Sequence, residues 1–165
     1  MSKQLQDAYI VAATRTPIGK SHRGFFRNTR PDDLLAHALR AALAQVPGLD
    51  PASIEDVICG CAIPEGQQGL NVARIGAVLA GLPNSVGGIT VNRFCASGLS
   101  AIQMAADRIR VGEADVMIAA GTESMSMVPM MGNSPSLSPS TFADTQNVEK
   151  SGIASGMGRT AATVT

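Results

Sequence analysis

Short apolar segments alternate with amphipathic segments along the first 120 residues, and this alternation leaves few folds open to the chain. Four segments are apolar on both faces and are predicted as buried strands, at residues 8–13, 57–62, 88–92 and 115–120. Strands of this kind occur in sheets covered by helices on both faces, and right-handed crossovers make most neighbouring strands parallel. The sequence therefore predicts an α/β fold with a mostly parallel sheet between two helical layers.

The helix ends are marked by residues with known terminal preferences. Pro31 suits the first turn of a helix, where Asp32 and Asp33 complement the helix dipole. Asp50 and Pro51 predict one further helical turn in the same way. Two longer helices are predicted at residues 71–82 and 96–111. The second has apolar side chains along one side, at Leu99, Ile102, Ala106 and Ile109.

The composition argues against several classes of partner. The 13 basic residues balance the 13 acidic ones, and aromatic residues make up 3% of the chain with no Trp. A nucleic-acid partner, which needs a basic face or stacking aromatics, is therefore not expected. No apolar run approaches the roughly 18 residues of a membrane span, and no secretory signal begins the chain. The three cysteines are an odd number, which favours a reducing compartment over one in which disulfides form. We therefore expect a cytoplasmic protein without a membrane span.

The other thiols and the histidines have plain interpretations. Cys59 and Cys61 stand two residues apart on one strand, a spacing that fits neither a zinc site nor good disulfide geometry, so both are predicted as small buried hydrophobes. His22 lies in a basic loop and His37 on the first helix, and pattern alone places neither beside a nucleophile. The sequences GKS at 19–21 and GMGRTA at 156–161 lack the glycine and strand context of nucleotide-binding motifs.

Cys95 stands at a strand-to-helix junction and is followed by small residues, which allow a helix to begin close against the sheet. The free N–H groups at a helix start favour a thiolate over a thiol and can bind an oxyanion. Ligands of open α/β sheets also bind beyond the carboxyl ends of the strands, where Cys95 is expected. Cys95 is therefore the candidate nucleophile, and the other interpretation is a small hydrophobe at the edge of a core.

The segment VNRFCASGLSAI, which contains Cys95, is accompanied by four others: AYIVAATRTPIGK, CAIPEGQQGLNVARIGAVLAGLP, GEADVMIAAGTESMSMVPMMG and SGMGRTAATVT. In this order and at these spacings they resemble the thiolases, the acetyl-CoA acyltransferases. The likeness covers essentially the whole chain, and its details lean toward the bacterial degradative 3-ketoacyl-CoA type.

This resemblance implies acyl transfer between a 3-ketoacyl-CoA and CoA, either in fatty-acid β-oxidation or in the reverse condensation of acetyl-CoA. Cys95 matches the family's nucleophile, which becomes acylated and whose backbone N–H serves an oxyanion hole. Met157 matches a residue that lines the acyl pocket. Some biosynthetic members have His at the position of Gly156. The glycine in its place suits longer acyl chains. Coenzyme A is then substrate and product, and neither a further cofactor nor a metal is expected.

The resemblance also implies that the chain is one half of a larger protein, because thiolases have two similar halves and a loop domain. Residues 1–120 match the N-terminal α/β domain with its mostly parallel mixed sheet, and residues 121–165 match the start of the loop domain. The activating His, the Asn and the second Cys of the family lie in the C-terminal half, which is absent here. The expected partners are acyl-CoA, CoA and that missing half. The family forms homodimers or tetramers, with residues 88–92 in the dimer contact.

Two alternatives remain open at this point. One is a catalytically inert half-domain that acts as an assembly scaffold, and the other is a ketoacyl-synthase-like condensing enzyme. The segments around Cys95 and residues 123–132 favour a thiolase over a synthase. Because the family's base lies in the C-terminal half, the 165-residue chain alone is expected to have very little activity or none.

Overall fold

The structure, a computed structural model, describes residues 5–136, 138 and 139. The chain divides into two compact units, Met1–Asn133 and Ser134–Thr165, and all of the elements given below belong to the first. The predicted division into an N-terminal domain of residues 1–120 and the start of a loop domain at 121–165 stays a prediction.

Three parallel strands form the sheet of the described residues. They are β1 (Asp56–Gly60), β2 (Gly87–Val91) and β3 (Met117–Gly121), and their order is β2-β1-β3. Gly60, the last residue of the central strand, pairs with Val91 on one side and with Gly121 on the other. All five residues of β1 are buried, as expected for the middle strand of a sheet covered on both faces. The predicted parallel α/β architecture is therefore confirmed.

Three helices cover these strands: α1 (Pro31–Leu43), which precedes β1, α2 (Val72–Ala80), which connects β1 to β2, and α3 (Ser97–Arg110), which connects β2 to β3. One-turn 3₁₀ helices add Pro51–Ser53 and Gly66–Gln68. The predicted start of α1 at Pro31 is confirmed, and the Asp50 side chain accepts a hydrogen bond from the Ala52 N–H at 2.9 Å. Gly81 ends α2 with a φ of 88°, in the left-handed region that favours glycine. In the described part of the chain, no helix is long and apolar enough to cross a bilayer.

The side chains of β1 alternate between two separate cores. Val57 and Cys59 belong to a cluster with α1 and α2, whereas Ile58 packs with Ala101 and Ala105 of α3. The helices α1 and α2 therefore cover one face of the sheet, and α3 covers the other. The helix that follows Cys95 therefore lies on the face of β1 that carries the Ile58 side chain. A side chain at position 60 would be on this same face.

The small residues of α3 face the sheet, and its large apolar residues face away from it. Leu99 is 70% exposed, and Ile102 on the same side is exposed as well. A helix with apolar residues on its outer side is typical of a buried layer rather than of a surface. The residues of α3 that are buried against the sheet are Ser97, Ser100, Ala101 and Ala105.

The strand predicted at residues 8–13 is wrong, because these residues form no strand in the structure. Tyr9, Ile10 and Val11 are 76%, 80% and 77% exposed. An apolar run becomes a strand only where a neighbouring strand can satisfy its backbone, and the described residues supply none for this segment. Its ends are held instead by the Gln6 N–H, which donates to the Arg110 carbonyl at 3.0 Å, and by contacts of Ala13 with the Gln45 amide.

Candidate active site

Cys95 lies in the turn that joins β2 to α3, two residues before the first residue of the helix. It is exposed, whereas Cys59 and Cys61 are buried. The interpretation of Cys59 and Cys61 as small buried hydrophobes is therefore confirmed. Cys95 is therefore accessible from solvent and directly precedes the N-terminus of a helix, which is one of the settings in which reactive thiols occur.

The turn around Cys95 is held by hydrogen bonds from both of its sides. The Ser97 hydroxyl accepts from the Arg93 N–H at 2.8 Å and donates to the Phe94 carbonyl at 2.6 Å. The Phe94 N–H donates to the Asn92 side-chain oxygen at 2.8 Å. Phe94 has a φ of 46°, a left-handed conformation that costs a bulky residue about 1–3 kcal/mol. The conformation on the N-terminal side of Cys95 is thus strained and held in place by the polar groups around it.

The backbone amides of the turn differ in what they can still bind. The Ala96 N–H donates to the Arg93 carbonyl and the Ser97 N–H to the Phe94 carbonyl, each at 3.0 Å. These two amides are therefore occupied. Among the residues that the structure describes, the Cys95 N–H has no hydrogen-bond acceptor. Of these three amides, the Cys95 N–H is therefore the one left to bind an oxyanion.

A polar network around the buried side chain of Gln68 lies just past the carboxyl ends of β1 and β3. The Glu123 carboxylate accepts hydrogen bonds from the Ala62 N–H at 2.6 Å and from the Gln68 side-chain amide. Gln68 is fully buried, and its side-chain oxygen accepts from the Ser124 N–H at 2.8 Å. Because every polar atom of the Gln68 side chain has a partner, this network fixes the loops that follow the two strands.

The two buried thiols are poor nucleophiles. Burial raises the pKa of Cys59 to about 12, with a smaller contribution from Cys61. Burial also raises the pKa of Cys61 to about 11, and the nearby negative charge of Glu123 adds to this effect. Both side chains therefore stay protonated at neutral pH, and the thiolate is the form that attacks carbonyl groups. Cys95 is the remaining cysteine of the chain.

Neither histidine is held at Cys95 by a hydrogen bond in the structure. His37 is exposed on α1, which covers the sheet face opposite to α3. His22 lies in a loop and donates its backbone N–H to the Ser126 hydroxyl at 2.9 Å. Met157 and Gly156 lie outside the described residues. Within the described ranges, no three His, Cys, Asp or Glu side chains form a group that could hold a metal ion.

One cleft of about 350 Å³ is open beside this edge of the sheet. Its walls are residues 16–21 and 123–126, together with Phe26, Arg27 and Leu34. Cys95 is not part of its lining. The candidate nucleophile therefore lies outside this cleft.

Sequence reasoning missed four residues of this region: Gly60, Ser97, Gln68 and Glu123. A signal existed for Gly60, because a glycine inside a buried strand often marks a close backbone approach. The small residues after Cys95 carried a weaker signal for Ser97. Gln68 and Glu123 carried none, since a polar residue in a loop is ordinarily solvated, and both the burial of Gln68 and its contact with Glu123 depend on tertiary packing.

Comparisons with known proteins relate most of the chain to a single family. Residues 8–164 match the family model described as "Thiolase, N-terminal domain". A 3-ketoacyl-CoA thiolase of Bacillus subtilis (strain 168) is 50% identical over 129 residues, which are 78% of this chain and 33% of that protein. A 3-ketoacyl-CoA thiolase of Colwellia psychrerythraea is 46% identical over 127 residues, which are 77% of this chain and 33% of that protein.

A solved structure shares the fold as well. The crystal structure of the Bacillus anthracis acetyl-CoA acetyltransferase matches with a TM-score of 0.72 at 37% identity, over 78% of this chain and 32% of that chain. The chain therefore spans about a third of the length of the relatives that it matches.

Proposed function

Because this chain belongs to the thiolase family, we propose that it supplies the nucleophile for acyl transfer between a 3-ketoacyl-CoA and CoA. The observation that carries the proposal is the position of Cys95, an exposed thiol two residues ahead of α3 in a turn fixed by Ser97. In the degradative direction the reaction serves fatty-acid β-oxidation, and in reverse it condenses acetyl-CoA. Coenzyme A is substrate and product, and the proposal needs no other cofactor.

The proposed reaction has two steps. The Cys95 thiolate first adds to the 3-keto carbon, the bond between C2 and C3 breaks, and C2 takes a proton to give acetyl-CoA. The acyl group remains on Cys95 as a thioester. The CoA thiolate then attacks this thioester, and the Cys95 sulfur leaves as a thiolate. In the first step the unpaired Cys95 amide would stabilise negative charge on the keto oxygen.

The proton transfers in this scheme need groups other than the two histidines of this chain. His37 is on the far side of the sheet from α3, and His22 is in a loop beside Ser126. Since the chain spans about a third of its relatives, we propose that the base and the acid come from a C-terminal thiolase half, as the sequence resemblance implies. The role of Met157 in the acyl pocket and that of Gly156 in favouring longer acyl chains stay part of the same proposal.

The outer side of α3 supports a partner of this kind. Leu99 and Ile102 are exposed there, although a helix normally buries such side chains. The exposed Tyr9, Ile10 and Val11 form a second apolar segment without a described neighbour. We propose that the C-terminal half covers α3. Homodimer or tetramer formation through β2, an edge strand of the described sheet, is the accompanying proposal. A cytoplasmic location remains a prediction.

The exposed side of α3 also favours a second function, an assembly scaffold without catalysis. The two proposals differ in whether the Cys95 thiolate takes an acyl group from an acyl-CoA. This single transfer can proceed slowly from the thiolate alone, whereas turnover needs the base and the acid of the proposed C-terminal half. The 165-residue chain and its Cys95→Ser variant would each be incubated with acetyl-CoA, and intact masses recorded. Acyl transfer predicts the mass of one acetyl group on the parent chain, its loss when CoA is added in excess, and no adduct on the variant. An unmodified parent chain whose Cys95 still reacts with iodoacetamide would favour the scaffold.

A further inference from the structure

The backbone of α3 rests directly on Gly60, the last residue of β1. A Cβ atom at position 60 would lie 2.5 Å from the Ser97 carbonyl carbon and 2.6 Å from the Gly98 nitrogen. Real Cβ atoms essentially never come so close to other heavy atoms, and the atoms met here are backbone. The first turn of α3 can therefore sit at its present height above the sheet only because residue 60 has no side chain.

Gly60 cannot yield to relieve such a contact, because the sheet holds it from both sides. The Gly60 carbonyl accepts a hydrogen bond from the Thr122 N–H at 3.0 Å, on the β3 side. The next residue, Cys61, donates its N–H to the Val91 carbonyl at 3.0 Å, on the β2 side. Any side chain at position 60 would therefore displace the start of α3 rather than the strand.

Ser97 connects this contact to the candidate nucleophile. Its backbone lies on Gly60, and its buried hydroxyl bridges the Arg93 N–H and the Phe94 carbonyl, which flank Cys95 on the N-terminal side. The same hydroxyl thus holds Phe94 in its left-handed conformation. A displacement of the first helical turn would be transmitted through Ser97 to the turn that carries the sulfur.

We propose that Gly60 and Ser97 are positioning residues for Cys95, which set the height of α3 and the conformation of the turn so that the thiol meets the helix N-terminus. The inference rests on the proposed function only in taking Cys95 as the nucleophile. Its direct consequence concerns thiol reactivity, which is measurable without any acyl-CoA.

The test compares Gly60→Ala with Gly121→Ala, a control that stands at the paired position of the neighbouring strand. A Cβ at position 121 would meet only the Gly60 carbonyl oxygen, at an ordinary 3.6 Å. The readout is the iodoacetamide labelling rate of each cysteine at neutral pH, followed by peptide mass spectrometry. We expect Gly60→Ala to slow the labelling of Cys95 about fivefold, the loss that a misplaced helix N-terminus causes, with Gly121→Ala within about twofold of the parent chain.

Cys59 and Cys61 report on folding in the same experiment, because both are buried and are labelled only when the chain opens. Slower labelling of Cys95 with continued protection of Cys59 and Cys61 supports the proposal. A Cys95 rate that is unchanged or higher, with the same protection, overturns it. If Cys59 and Cys61 become labelled in Gly60→Ala, that variant has lost its fold. Variants of Ser97 then test the proposal.

Ser97→Ala removes the bridging hydroxyl without adding atoms, and Ser100→Ala is its control one turn later on the buried side of α3. We expect Ser97→Ala to slow Cys95 labelling and Ser97→Thr, which keeps a hydroxyl, to recover part of the rate. Equal Cys95 rates in the Ser97→Ala and Ser100→Ala variants would overturn the proposal. The failure of the proposed function would look different, since the parent chain would then take no acyl group although its Cys95 labelling depended on Gly60 and Ser97.

Discussion

Gln68 holds Ser124 in place across the end of the sheet: its side-chain oxygen accepts the Ser124 N–H at 2.8 Å. The amide nitrogen of Gln68 also donates to the Ile63 carbonyl at 2.8 Å and to the Glu123 carboxylate. One side chain thus ties the loop after β1 to the loop after β3. The positions of these two loops therefore depend on one buried amide.

The first prediction concerns Gln68. Replacement by Leu keeps the approximate volume but leaves the Ser124 N–H, the Ile63 carbonyl and Glu123 without this partner, and it should lower the free energy of unfolding by about 3 kcal/mol. The matched control is Gln67→Leu at the exposed neighbouring position, where a change within about 0.5 kcal/mol is expected. Urea denaturation measures both. Equal losses in the two variants would show that the network does not stabilise the loops.

The second prediction concerns the ion pair between α3 and the start of β1. Arg108 donates to the Asp56 carboxylate at 2.8 Å, and both side chains are largely buried. Arg108→Met retains the aliphatic stem but leaves Asp56 with a less compensated charge, so we expect a loss of about 2 kcal/mol in unfolding free energy.

Arg110→Met is the control on the same helix. The Arg110 Nη1 atom lies 3.6 Å from Asp107 Oδ1, and both side chains are about half exposed. Exposed pairs of this kind contribute about 0.5 kcal/mol, so the control should change stability little. The account of Arg108 would be refuted by urea midpoints that fall equally in the two variants.

The third prediction separates the three cysteines by accessibility. In the folded chain, iodoacetamide should label Cys95 and leave Cys59 and Cys61 unmodified, whereas all three should react in guanidinium. Peptide mass spectrometry assigns the label to each position. Native labelling of Cys61 at the rate of Cys95 would contradict the placement of Cys61 in the core.

The fourth prediction is a loss of stability at alkaline pH. In the unfolded chain the thiols of Cys59 and Cys61 titrate near their ordinary pKa of 9.0, whereas in the folded chain they titrate at about 12 and about 11. The folded state therefore binds these protons more tightly. Their contribution to stability is complete below pH 9.0 and is lost as the pH rises toward the folded pKa values.

Urea denaturation at about pH 8 and about pH 10 measures this loss. Cys61→Ala should show a smaller drop between the two conditions than the parent chain. Val57→Ala is the control, because it also truncates a fully buried side chain but keeps both thiols, so its drop should match that of the parent. The assigned cause is wrong if Cys61→Ala and Val57→Ala lose stability equally between the two pH values.

Much of this fold is predictable because its signals are local. Pro31 begins α1, and Asp50 caps the short turn that starts at Pro51, since helix ends depend on a few neighbouring residues. The apolar runs of β1, β2 and β3 predict strands because near-continuous apolar runs are typical of parallel sheets covered by helices; β1 is buried throughout, whereas β2 and β3 are partly exposed.

The errors and omissions concern what lies across space rather than along the chain. Residues 8–13 have an apolar pattern typical of a strand, yet strand formation needs a pairing partner, and the described residues provide none. The apolar pattern of α3 predicts that its large side chains share one side of the helix. It does not predict that the other side, with the small buried residues, packs on the sheet at Gly60. The position of Cys95 at a strand-to-helix turn is predictable, whereas its support by Ser97 depends on hydrogen bonds that the residue pattern does not specify.

The central claim is that the Cys95 sulfur accepts an acyl group, and tandem mass spectrometry tests it most directly. The test concerns a single acylation, which the thiolate can carry out slowly by itself, and not turnover, which needs the proposed C-terminal half. The folded chain would be incubated with an acyl-CoA, digested under conditions that preserve thioesters, and every peptide containing Cys or Ser sequenced by fragmentation. The account predicts an acyl group on Cys95 and none on Cys59 or Cys61. An acyl group found elsewhere, or a Cys95 that remains unacylated while still reacting with iodoacetamide, would contradict it.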